Sequence, residues 1–213
     1  MRWHDHGHEG REPVIWLDGL DIPLVRGVEA NWASAMKPAS TPATETDSSQ
    51  DEFTAAGLVP RRSRYAETGY PQVRWPWRTA RAALAAMAAT APRRAAVLLR
   101  HVNPRTGEYP LRTMGSEARW LRPGEETRAE RCTGSEVVHV VEGQGESRVG
   151  DHTLDWQAGD VFVVPPWHWA THRNRSGQAP ACLFHLNDEP ALRALGLWQV
   201  EGRGAAEGEP SGY

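Results

Sequence analysis

Three histidines at alternate positions open the chain, His4, His6 and His8. If their segment is extended, all three imidazoles fall on one side, the arrangement that a transition metal or an acid–base step would use. His139 and His185 sit in apolar runs and read as structural histidines, and Trp167 and Trp169 read as core packing. Alternate histidines at a chain end also bind metal adventitiously.

The rest of the composition narrows the classes. Twenty-four basic residues against 27 acidic ones leave a net charge of -3, so no basic field favours nucleic acid or anionic lipid. Residues 59–112 hold eleven Arg among interleaved Trp, but no nucleic-acid-binding motif accompanies them, and a solvated surface or subunit contact is the better reading. Apolar runs fall short of the roughly 20 residues of a membrane span, and the first residues do not resemble a signal peptide, so a cytoplasmic protein is expected. Cys132 and Cys182 are too few for a disulfide framework.

The elements that position these residues are predominantly β. Residues 14–17 and 20–25 read as short strands. The stretch 33–52 is polar, with Pro, Ser and Thr, and reads as a linker. An Ala-rich helix is expected over 77–90, starting after Pro76 and ended by Pro92. Beyond it, short β-branched runs broken by Gly and Pro predict strands at 97–102, 111–121, 137–142, 146–149, 161–164, 168–172 and 181–186. Residues 201–213 read as a disordered tail.

Within that β-region the order Pro123-Gly124, Glu136, Gly143, Gly145, Gly159-Asp160, Pro165 and Asn174 resembles the paired motifs of the cupin superfamily, a mostly β, double-stranded β-helix of jelly-roll type. In metal-binding cupins the first motif carries His-x-His and then a carboxylate, and the second carries one more His. The matching positions here are Glu130 and Cys132, Glu136, and Ala170. A site built from Glu130, Cys132, Glu136 and His172 would mix hard and soft ligands without the imidazoles and suits no common cupin metal, so the resemblance implies a cupin without a metal, in which Cys132 is a small buried residue and Glu136 a hydrogen-bonded carboxylate. The start of the chain matches half of the same second motif: residues 2–8 (RWHDHGH) share the spacing of residues 168–174 (HWATHRN), with His4 on Ala170 and His6 on His172. The longer string WHDHGHEGREPVIWLDGLDIPL, residues 3–24, is similar to the junction after the first cupin of the gentisate 1,2-dioxygenase family, bicupin enzymes whose relatives act on salicylate and 1-hydroxy-2-naphthoate. One departure is His8, where the family usually has Asn.

This resemblance implies the following expectations. Residues 1–30 are the remnant of a catalytic first cupin in an N-terminally truncated chain, 31–95 a linker and Arg-rich helical connector, and 96–200 a complete metal-free second cupin. The family holds Fe(II) through three histidines and cleaves an aromatic hydroxy acid with dioxygen. On that pattern His4 is the third iron ligand, His6 a hydrogen-bonding or acid–base partner, and Asp18 a residue that orients those groups. A homo-oligomer is implied for the full-length form. With two of three ligands missing, this chain is expected to hold iron poorly and to be inactive alone. The alternative is a non-catalytic cupin, a fragment or a small-ligand module; an isomerase or epimerase would lack its His-based site.

Overall fold

The computed structural model describes residues 7, 8, 10–30, 32, 50, 61, 74–92 and 96–203. Chain order is α1 (Ile22–Gly27), α2 (Trp77–Thr90), β1 (Val97–Arg100), β2 (Gly115–Leu121), β3 (Glu130–Cys132), β4 (Glu136–Glu142), β5 (Gln144–Val149), β6 (His152–Gln157), β7 (Val161–Val164), β8 (Ala170–Asn174), β9 (Ala181–Asn187), α3 (Glu189–Ala194) and β10 (Val200–Gly202). Two five-stranded antiparallel sheets result, in the orders β1-β2-β9-β4-β7 and β10-β3-β8-β5-β6. This is the cupin jelly roll.

Strand alternation sorts the side chains. On β9, Ala181 and Leu183 enter a buried cluster with Leu121, Val138, Val140, Val149, Trp156 and Val164, whereas Cys182 joins a second cluster with Leu84, Val97, Ala118 and Trp120. The first cluster fills one end of the barrel. The second lies under α2, whose Leu84 is fully buried against the outer face of β1 and β2. Burial of each Leu or Val among them stabilises the fold by roughly 1.5–3 kcal/mol.

The helix forms where proline allows it to start and alanine allows it to run. It lacks a side-chain N-cap, but its far end is capped from the barrel. Arg122 donates to the carbonyls of Ala88 at 2.9 and 3.1 Å and of Ala91 at 3.0 Å, satisfying orphan C=O groups with a cation where the helix dipole favours one. Trp77 and Arg81 bind Glu142 on β4 at 2.8–2.9 Å. The turn between β4 and β5 requires Gly143, whose φ is +91° and where a Cβ would lie 2.6 Å from that of Ala181.

Two expectations fail near the N-terminus. Residues 14–17 are coil and 22–27 are helical, with Pro23 in the first turn. Among the described residues no strand lies beside these β-branched residues, and an unpaired strand leaves its backbone groups unmet, so the local preference set by Pro23 wins. Strands β3, β6 and β10 and helix α3 were not expected, and β10 continues to Gly202, beyond residue 200.

Candidate functional site

The other end of the barrel is polar. Cross-strand register places Glu117 opposite His185 and His185 opposite Val138, so these three share an inward row, and Gly115, Asn187 and Glu136 form the next. Across the barrel Ser147 faces His172. Alternation from Leu121 adds Arg119 to the interior, and this guanidinium lines the same cavity as Glu117, Glu136 and His172.

Each group has a definite partner except two. His185 Nδ1 lies 3.0 Å from Glu136 Oε2, and its ring meets His172 edge-on at 5.7 Å. Trp156 Nε1 donates to Ser147 Oγ at 2.9 Å, which leaves the hydroxyl hydrogen for His172 Nδ1 at 2.7 Å. Tyr109 Oη lies 2.8 Å from Glu117 Oε1 and 2.9 Å from Glu189 Oε2. With one hydrogen between two carboxyl groups, one carboxyl must carry a proton for both bonds to form. Burial pushes Glu117 above the usual carboxylate range and makes it the better holder. The exceptions are Arg119 Nε and His185 Nε2, both buried without a partner. His185 is only 1% exposed, so the expected fully satisfied structural histidine is half satisfied.

The environments fix protonation. Burial opposes ionisation of Glu136, but the hydrogen bond and charge of His185, with the charge of Arg119, hold its carboxyl down to about 2. Burial, then the charges of Arg119 and His185, keep His172 neutral well below the usual imidazole range. Burial and Glu136 push the Cys132 thiol up to about 12.

The structure thus brings Glu130, Cys132, Glu136, Ala170 and His172 around one cavity of about 70 Å³. They do not fit a metal. Cys132 stays a thiol with Sγ on Gly134 O at 3.5 Å, Glu136 is engaged by His185, and the position matching the last imidazole is Ala170. Among the described residues no three His, Cys, Asp or Glu side chains form a metal-binding group. At the mouth, Trp167 is 41% exposed in the left-handed region, with φ +61°. It stacks on Arg131 at 4.4 Å, and Arg131 also lies 4.7 Å from Trp169 and pairs with Glu201 at 2.7 Å. The expectation of Trp167 as core is corrected.

Of the N-terminal candidates, His4 and His6 lie outside the described residues. His8 Nε2 lies 2.6 Å from Glu12 O and is exposed. Asp18 is exposed, with no hydrogen bond or ion pair; Asp21, three residues on, accepts from Thr113 Oγ1 at 2.8 Å. No helix among the described residues is long and apolar enough to cross a membrane.

Glu117 and Arg119 were absent from the residues singled out in the sequence. Their signal is a charged pair two apart in Gly-Ser-Glu-Ala-Arg-Trp-Leu, but it points the wrong way unless α2 is known to cover Ala118 and Trp120.

Comparison with known proteins adds a family. The model of the cupin domain matches residues 121–187. A gentisate 1,2-dioxygenase of a Ralstonia species is 34% identical over 201 residues, 94% of this chain and 56% of that protein. A 5-aminosalicylate 1,2-dioxygenase of a Comamonas species is 36% identical over 206 residues, 93% of this chain and 53% of that protein. The crystal structure of salicylate 1,2-dioxygenase from Pseudoaminobacter salicylatoxidans with gentisate superposes with a TM-score of 0.76 at 26% identity, covering 86% of this chain and 52% of that one. The chain spans about half the length of the relatives it matches.

Proposed function

We propose that this chain, which belongs to the gentisate 1,2-dioxygenase family, serves ring cleavage of an aromatic hydroxy acid by dioxygen, with the barrel of residues 96–203 as its non-catalytic half. The observation that carries this reading is the match to ring-cleaving dioxygenases along 93–94% of the chain, together with a described barrel whose donors are engaged elsewhere. Fe(II), when bound, would supply the template that brings aromatic acid and dioxygen together. Its ligand from this chain would be His4. His6 would donate or accept a proton near the substrate hydroxyl, and Asp18 would hold those groups in orientation. The barrel would contribute support through Thr113, which anchors Asp21, three residues beyond Asp18.

One imidazole cannot retain Fe(II) against water, so the 213-residue chain alone is expected to contain little iron and to take up no oxygen with gentisate. The test is a chimera in which this chain replaces the aligned 56% of the Ralstonia gentisate 1,2-dioxygenase. Oxygen uptake should accompany gentisate addition, and should fall on the order of 100-fold in His6→Ala. A folded, iron-loaded chimera that consumes no oxygen with gentisate, salicylate or 1-hydroxy-2-naphthoate would refute the reading.

A further inference from the structure

We infer that the cavity at the polar end of the barrel is a binding site for a small monocarboxylate, clamped by the Arg119 guanidinium. This is independent of the ring-cleavage proposal. Arg119 projects inward from β2 and lines the cavity. Its side chain makes no hydrogen bond or ion pair, and Nε is buried without a partner. The Glu136 carboxylate is near enough to feel its charge but makes no hydrogen bond to it, and a buried guanidinium N–H left unbonded is costly unless something pairs with it.

The protein's own carboxylates are committed. Glu136 is held by His185 at 3.0 Å, Glu117 by Tyr109 at 2.8 Å, and Glu189 by Tyr109 at 2.9 Å and Arg193 at 2.5 Å. Burial also drives Glu117 toward its neutral form. Glu130 lines the mouth, where it is exposed beside the equally exposed Arg128. Arg119 is therefore left with an open Nε edge, the edge from which a guanidinium grips a carboxylate through two parallel hydrogen bonds. A metal cation is excluded as occupant by the neutral Cys132 and the committed carboxylates described above.

Size selects the ligand class. A volume of about 70 Å³ has room for roughly five waters, enough for a carboxylate of three or four heavy atoms and too little for one bearing an aromatic ring. The way in passes Arg128, Arg131 and His168.

Acetate is the probe. Titration calorimetry of the 213-residue chain at constant ionic strength should give saturable, one-to-one binding of acetate that neither chloride nor benzoate displaces. Arg119→Met should raise the acetate Kd by on the order of tenfold or more. Arg119→Lys, which keeps the charge but loses the two-pronged edge, should raise it several-fold, with near-ultraviolet dichroism showing both variants folded. Absence of acetate binding, displacement by equimolar chloride or benzoate, or unchanged affinity in the folded Arg119→Lys or Arg119→Met chain would overturn the assignment.

Discussion

Residues 10–30 and the barrel of residues 96–203 are both rich in aliphatic and aromatic side chains, yet they dispose of them in opposite ways. In the barrel, Leu121, Val138, Val140 and Leu183 are fully buried. In the N-terminal segment α1 buries nothing, and Val14, Ile15, Trp16, Leu17, Leu20, Ile22 and Val28 are all exposed, Ile15 to 96%. Hydrophobicity alone does not make a core; strand partners do. The segment is tied to the barrel through Thr113 and through Gly19, where a Cβ would run into the Leu186 side chain. It has the composition of a core without its closure.

The contrast breaks most visibly by truncation. Leu183→Ala in the barrel should cost about 2–5 kcal/mol of unfolding free energy in urea, whereas Ile15→Ala should change it by less than about 0.5 kcal/mol. An equal effect of the two would mean that the segment packs in solution. Next in size, Arg122→Leu strips the carbonyls of Ala88 and Ala91 of their donor and should lower stability by about 1–3 kcal/mol, with helix 77–90 exchanging its amide hydrogens faster than the barrel strands.

Acidification gives a smaller, graded effect with a definite sign. His172 is kept neutral in the folded barrel, so the unfolded chain binds its proton first. Stability should fall as pH drops below 6.5, the ordinary imidazole value. Glu136, depressed from 4.5 to about 2, adds a further loss as pH falls from about 4.5 toward 2. Both losses belong to the barrel, so thermal melts should show His172→Gln with a flatter profile between pH 6.5 and 5, and a slope identical to the parent would contradict a neutral His172. The smallest effect is expected from Thr113→Val. It removes the bond to Asp21 and should speed proteolysis within residues 10–30 several-fold while moving the barrel's Tm by no more than about 2 °C.

Much of this architecture was legible in the sequence because its signals are local. Pro76, the alanines and Pro92 bracket α2, whose bounds match the expectation, and Gly143 and Gly159-Asp160 mark turns between strands. Motif spacing brought Glu130, Cys132, Glu136 and His172 to one cavity. What stayed hidden depends on neighbours. β6, HTLDWQ, alternates weakly because only Trp156 is buried, and α3 is six residues long. Glu117 and Arg119 escaped notice because α2 covers the outer face of β2, making its apolar residues outward and its charged ones inward. The apolar run at 14–17 misled for the converse reason: its composition is that of a strand, and among the described residues no strand lies beside it.

Under the proposed division of labour the N-terminal segment would carry the iron chemistry and the barrel would not. Iron content by mass spectrometry of the Ralstonia chimera, compared between His4→Ala and Glu136→Gln, tests it most directly. The chimera should hold about one iron per chain, His4→Ala should lose it by on the order of 10–100-fold, and Glu136→Gln should keep it. Iron retained without His4, or lost with the Glu136 carboxylate, would contradict the account.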